Sequence, residues 1–197
     1  MPPEQLNLIG DPEIRRSAFF PAEGIRRSLS RDWSPGPRAF VLGCNPSNAG
    51  SDIEDPTTLW WNRWFRHHGY GGYDAANLYP FVSSSPQECK KRADAAYEAR
   101  SSPDYLQIAA NLEAIVELAS RADAVFACYG NIAWDPIWNE HALQRILEGR
   151  DPAQAIWCWG QTKSGAPIHP MARGKHRINP LQEPILFRTS AGISQSA

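Results

Sequence analysis

Three polar side chains of this sequence have the types and positions to carry out chemistry together: Asn45, Asn77 and His169. Asn45 ends the apolar run "FVLGC", and its amide could orient a water molecule or bind a ligand. Asn77 lies within an apolar stretch, where a buried amide needs hydrogen-bonding partners and can pair with the edge of a nucleobase. His169 lies in "GAPIHPMAR", where a neutral imidazole could donate a hydrogen bond to a developing negative charge.

Each of these residues also has a plainer interpretation. Asn45 could cap the turn that follows it, Asn77 could bond the neighbouring backbone, and His169 could be incidental to function. Basic residues surround His169, and they are Lys163, Arg173, Lys175, His176 and Arg177. Such a cluster is commonly a solvated face, but beside a site it could contact phosphate groups.

Several kinds of chemistry are not supported by the residue pattern. His67 and His68 are neighbours that would point apart on a helix, without matching ligand spacing, so no metal site is predicted. The sequence has no phosphate-binding loop, dinucleotide fingerprint or serine-nucleophile motif, and no cofactor is predicted. Ser47 has no base in its sequence context that would make it a nucleophile.

The elements that would position these residues alternate along the chain. Helical patterns cover residues 55–70, where an Asp-Pro pair marks the start, as well as 103–122 and 135–150. The stretch from residue 85 to 102 is helical or irregular. Apolar runs typical of buried strands cover residues 38–45, 73–82, 123–131 and 155–160.

This order predicts an α/β fold, with a central, mostly parallel four-stranded sheet between two layers of helices. Residues 17–33 add a short N-terminal β-hairpin around a turn at residues 21–24. Ligands bind beyond the carboxyl ends of the strands in such sheets, so Asn45, Asn77 and His169 should gather on one rim.

Length and composition predict one domain without membrane contact. Of the 197 residues, 17–187 form a single α/β domain, 1–16 an N-terminal arm and 188–197 a disordered tail. The sequence shows no signal peptide and no apolar run of membrane-spanning length, which favours a cytoplasmic protein. Four widely spaced cysteines, Cys44, Cys89, Cys128 and Cys158, predict buried free thiols. No oligomeric state is predicted.

Several segments resemble a bacterial and phage family, the domain-of-unknown-function family 1643. They are "RRSLSRDW", "FVLGCNPSNAG", "IEDPTTLWW", "GYGGYDAANLYPF", "VFACYGN" and "WCWGQTKSGAPIHPMAR". The likeness runs from about Gly24 to Pro170, and the family name implies no activity.

A more distant resemblance, to the uracil-DNA glycosylase superfamily, does imply an activity. "GCNPS" is similar to the strand-end motif of the mismatch-specific branch and places Asn45 where that branch positions water. "NLYPF" places Asn77 where the base is read, and "IHPMAR" places His169 where the transition state is stabilised. Ser47 follows the motif proline, and its small side chain would tolerate substituents at the pyrimidine 5-position.

The sequence departs from this superfamily at two places. Met171 stands where serine usually follows the His-Pro pair, and Met171 or Arg173 could wedge into a duplex. The segment that usually brings a base-stacking aromatic residue is replaced by "DPTTLWW", in which Trp60 or Trp61 could take that role.

The resemblance therefore implies a hydrolase that cleaves the N-glycosidic bond of a pyrimidine base, modified bases included, in DNA rather than RNA. Lys163, Arg173 and Lys175 would hold phosphate, and fixed dipoles would make cofactors and metals unnecessary. Turnover should be slow, because asparagine is a poorer base than aspartate. Two alternatives stay open: a module that binds a base or nucleic acid without cleaving it, and a hydrolase of free nucleosides or nucleotides. The net charge of −1 slightly favours the latter over strong duplex binding.

Overall fold

The computed structural model describes residues 14–47, 49–151 and 154–190, and these residues form a mixed α/β fold. Its elements follow in chain order: β1 Arg15–Phe19, β2 Ser28–Asp32, β3 Arg38–Gly43, α1 Pro56–His67, β4 Gly72–Asn77, α2 Pro86–Glu98, α3 Pro103–Ser120, β5 Ala124–Ala127, α4 Pro136–Glu148, β6 Ile156–Cys158 and β7 Ile185–Arg188. A short 3₁₀ turn covers Gly174–His176.

The strands form one sheet in the order β1-β2-β4-β3-β5-β6-β7. The four central strands, β4, β3, β5 and β6, are parallel and are the four that the sequence predicts. The predicted strand number is wrong, because antiparallel strands extend the sheet at both edges. The N-terminal hairpin is part of the sheet, since β2 pairs with β4. The four-residue β7 is too short to show a periodic pattern, and of its residues only Phe187 is fully buried.

Helices pack against both faces of the sheet, which explains the continuous apolar runs of the central strands. Phe40 and Leu42 of β3 belong to a core cluster that includes residues of α2, α3 and α4. Ala39 and Val41, which alternate with them, belong to a second cluster that includes residues of α1. The second cluster is rich in aromatic rings, with Trp64, Phe65, Phe126 and Trp159 in mutual contact.

The four α-helices in the described part of the chain begin in the same way, with a capping side chain followed by proline. Asp55, Ser85, Ser102 and Asp135 each accept a hydrogen bond from the backbone N–H three residues later. Proline suits the next position because its fixed φ fits a helix and its missing N–H would have had no partner there. The stretch from 85 to 102, which the sequence leaves open, therefore contains helix α2.

Both predicted terminal segments lie mainly outside the described residues. Of the predicted arm, residues 1–13 are not described, and β1 begins at Arg15. Of the predicted tail, residues 191–197 are not described, and Arg188 ends β7. Within the described part of the chain, no helix combines the length and apolar character needed to cross a bilayer. The four cysteines are buried and free, and burial raises the pKa of Cys44 to about 12.

Candidate active site

A pocket of about 200 Å³ opens at the carboxyl ends of β3 and β4. It contains five of the residues that the sequence singles out: Asn45, Ser47, Trp61, Asn77 and His169. The loop after β3, the first turns of α1, the segment after β4 and the loop after β6 all contribute to its walls. Arg26, Asp55 and Ser83 also line the pocket.

Asn45 is fixed by the segment that follows β4. Its amide nitrogen donates to the carbonyl oxygen of Ser83 at 2.8 Å and lies 3.3 Å from that of Pro46. The backbone pairing of β3 and β4 continues beyond the strands, because Tyr79 N–H donates to the Cys44 carbonyl at 3.0 Å. The amide nitrogen is thus occupied, and the amide oxygen of Asn45 is the atom that can accept a hydrogen bond from water.

Asn77 is buried at the end of β4 and is held at both ends of its amide. In the orientation that satisfies these contacts, its nitrogen donates to the Asn45 carbonyl at 3.3 Å, and its oxygen accepts from the Arg26 guanidinium at 3.3 Å. Gly43 makes this position possible, since a Cβ atom there would come within 2.5 Å of the Asn77 amide. Asn111 also donates to the Asn77 backbone carbonyl at 2.8 Å. The amide is therefore rigidly placed.

His169 presents one hydrogen-bond donor of a neutral imidazole. Its Nδ1 accepts a hydrogen bond from the Met171 backbone N–H at 3.1 Å, so Nε2 carries the hydrogen. Burial lowers the pKa of His169, and the negative charge of Asp55 opposes this shift without cancelling it. The loop packs against Gly130, where an added Cβ would lie 3.5 Å from the His169 Cβ. The imidazole is thus neutral at pH 7.

Asp55 belongs to the pocket as well, although sequence reasoning identified it only as a helix cap. One carboxylate oxygen accepts from Thr58 N–H at 2.8 Å, which is the capping bond. The other oxygen accepts a hydrogen bond from the Ser47 hydroxyl. The only sequence signal for this residue was the Asp-Pro pair, which does not reveal that a serine eight residues earlier turns toward it.

Two buried arginines hold the loop between Ser47 and Asp55. Arg26 is 5% exposed and donates to the Ala49 carbonyl at 2.6 Å. Arg31 donates to the Gly50 carbonyl at 2.9 Å and pairs with Glu54 at 2.8 Å. Burial lowers the pKa of Arg26 to about 10, which leaves it cationic at neutral pH.

The two tryptophans that could stack on a base have different positions. Trp61 is buried and lines the pocket. Trp60 is not among the lining residues, because its ring packs against Trp159, with centroids 4.9 Å apart, and lies parallel to Trp64. Of the two, Trp61 is therefore the one that can contact a ligand in this pocket.

The basic residues lie on the surface beyond the pocket. Lys163, Arg173 and Lys175 are exposed and do not line it. A neighbouring depression of about 280 Å³ shares His169 with the pocket and is also lined by Met171, which is 38% exposed. A ligand larger than the pocket could reach this second depression by passing His169.

The fold and the pocket define a mixed α/β protein with a small polar site at the ends of parallel strands. The chain belongs to the family described as "protein of unknown function (DUF1643)", whose model matches residues 26–171. This range includes every residue that lines the pocket. No curated protein and no solved structure matches the chain. The resemblance to the uracil-DNA glycosylase superfamily stays a prediction.

Proposed function

We propose that this protein hydrolyses the N-glycosidic bond of a pyrimidine base in nucleic acid. The observation that carries the proposal is the pairing of two groups in one pocket. One is a neutral His169 with a free Nε2–H donor, and the other is the fixed amide of Asn77. The His169 donor can stabilise a leaving group that becomes an anion, and the Asn77 amide can form hydrogen bonds with the edge of a base.

The size of the pocket supports a single base as the group that enters. Pockets for drug-sized ligands measure about 300–1,000 Å³, and this one is smaller, at about 200 Å³. Enzymes that act on a base in a duplex move it out of the stack into such a pocket. Trp61 would contact the face of the base, and the small side chain of Ser47 leaves room for a substituent.

The proposed step is a displacement by water. The water oxygen forms a bond to the sugar C1′ as the bond from C1′ to the base nitrogen breaks, and the electron pair leaves with the base. His169 Nε2–H donates to the resulting base anion, while the Asn45 amide oxygen orients the water. Both groups are held before the reaction starts, so little reorganisation is needed.

Base release is the direct test. Wild-type protein is incubated with single- and double-stranded DNA that carries uracil, mismatched thymine or 5-substituted pyrimidines, and abasic sites are counted. We expect release from at least one substrate, and a decrease of about 10²-fold in Asn45→Ala, similar to the loss of one positioned polar group in other hydrolases. Asn179→Ala is the matched control, because the side chain of that exposed loop asparagine accepts from Leu181 N–H at 3.0 Å and does not line the pocket. Release from none of the substrates would refute the proposal.

Salt dependence separates nucleic acid from free nucleosides. If Lys163, Arg173 and Lys175 contact phosphates, changing all three to alanine should reduce the slope of log affinity against log salt by about 0.7–0.9 per lost contact. Arg121→Ala is the control, because this exposed side chain lies at the end of α3, just before β5 begins, and is not among the residues that line the pocket. Salt-dependent binding without base release would favour the non-cleaving binding module.

A further inference from the structure

The proposed hydrolysis needs a group that takes up a proton from the attacking water. The amide of Asn45 cannot do so, because a neutral amide is not a base near neutral pH. We propose that Ser47 and Asp55 together accept this proton, with Asp55 as the general base. This inference rests on the proposed function and adds a catalytic carboxylate that the sequence motifs do not include.

The geometry supplies a short path from the pocket to the carboxylate. Ser47 lies two residues after Asn45 on the same loop, and both Ser47 and Asp55 line the pocket. The Ser47 hydroxyl donates its hydrogen to Asp55 Oδ2, so its oxygen lone pairs are left to accept from water. In the proposed arrangement, a water held by the Asn45 amide oxygen donates to Ser47 Oγ.

The proton of the attacking water reaches Asp55 through the Ser47 hydroxyl. While the water oxygen bonds to C1′, one water proton passes to Ser47 Oγ, and the original Ser47 hydroxyl proton passes to Asp55 Oδ2. The sugar keeps the remaining O–H, the base leaves with the electron pair of the broken bond, and Asp55 becomes a neutral acid. The released base anion is then protonated by Asp55 or by solvent, and the carboxylate is restored.

The charged groups around Asp55 are compatible with this role. Arg26, Tyr73 and His169 interact electrostatically with Asp55. Burial raises the pKa of Tyr73 well above its ordinary value and lowers that of His169, so both are neutral at pH 7. The neighbouring Glu54 is paired with Arg31 at 2.8 Å. Of Arg26, Tyr73 and His169, only Arg26 is thus charged at neutral pH.

Single-turnover base release by Asp55→Asn tests the inference. Asparagine is as good a helix cap as aspartate, so α1 should keep its start while the base is lost. We expect a decrease of about 10²-fold or more in rate, with unchanged DNA affinity. Ser47→Ala should slow release by at least about 10-fold.

Asp135→Asn is the matched control. Asp135 caps α4 from the same Asp-Pro sequence, accepting from Trp138 N–H at 2.9 Å, but it does not line the pocket. Its variant should release base within about twofold of wild type. An active wild type with an equally active Asp55→Asn would refute the role of Asp55 and leave the proposed function intact. An inactive wild type would refute both.

Discussion

Two helices of this protein start from the same local sequence and meet different surroundings. Asp55-Pro56 begins α1 and Asp135-Pro136 begins α4, with capping bonds of 2.8 and 2.9 Å. Before Asp135 comes Trp134, whose ring stacks on Tyr79 at 4.4 Å. Before Asp55 comes Glu54, which is buried in an ion pair.

A side chain caps a helix because of its local sequence, whereas its place in a site depends on distant parts of the chain. Both aspartates satisfy a backbone N–H at a helix start, which their own sequence dictates. Only Asp55 is also turned toward a pocket, because the loop before it is held by buried side chains from β2 and from the segment ahead of β2. The role of the second carboxylate oxygen therefore depends on contacts far along the chain.

The largest effect should come from breaking the ion pair that holds this loop. Glu54→Gln leaves Arg31 buried without a counter-charge, and removal of one partner of a buried pair typically costs about 3–5 kcal/mol of unfolding free energy. Glu117→Gln, which removes an exposed partner of Arg121, should cost about 0.5 kcal/mol or less. Urea unfolding measures the loss of unfolding free energy in both variants. Equal losses in the two variants would contradict this prediction.

The same pair should make stability depend on pH. Burial alone would raise the pKa of Glu54, but hydrogen bonds from Arg31, Thr58 and Arg16 and the charge of Arg31 outweigh burial and lower the pKa. The stabilisation is therefore complete above the unfolded value of about 4.3 and is lost as the pH falls through the lower folded value. Glu54→Gln should lack this acid-dependent component.

An intermediate effect should come from the glycine beneath Asn77. Gly43→Ala places a Cβ atom 2.5 Å from the Asn77 amide, and such overpacking costs about 1–3 kcal/mol. Base release should be slower, because the added Cβ displaces the Asn77 amide. Gly50→Ala is the matched control in the loop that precedes Asp55, because nothing lies within 4 Å of its added Cβ. Normal base release by Gly43→Ala would show that the placement of Asn77 is unimportant.

The smallest effect should be the loss of stability when either capping aspartate is removed. Asp55→Ala and Asp135→Ala should each lower the unfolding free energy by about 1 kcal/mol, because both remove one capping bond. Thermal unfolding should show that the two variants are destabilised to a similar extent. Base release should distinguish them, since only Asp55→Ala should slow it. A much larger destabilisation by Asp55→Ala would mean that its bond to Ser47 is mainly structural.

The parts of the fold that short-range patterns determine could be predicted from the sequence. Apolar runs locate the four central strands, and the Asp-Pro pairs locate the starts of α1 and α4. Parallel strands bring their carboxyl ends together, which is why Asn45, Asn77 and His169 could be expected on one rim.

The parts of the fold and of the site that depend on long-range contacts could not be predicted from the sequence. Arg26 and Arg31 occur in "RRSLSRDW", which has no feature to show that two arginines are buried there, and their loop contacts lie 23 and 19 residues away. Asp55 lines the pocket because these long-range contacts hold the loop before it. The edge strand β7 is short, and its pairing with β6 depends on the rest of the sheet.

Base release by His169→Ala tests whether the neutral imidazole in the pocket stabilises the leaving base. Uracil-containing DNA, or whichever substrate the wild type prefers, is incubated with wild type, His169→Ala and His141→Ala, the last an exposed histidine on α4. We predict abasic sites with wild type and His141→Ala, and release about 10²-fold slower with His169→Ala. Equal rates for all three proteins would show that the neutral imidazole in the pocket plays no part in stabilising the leaving base.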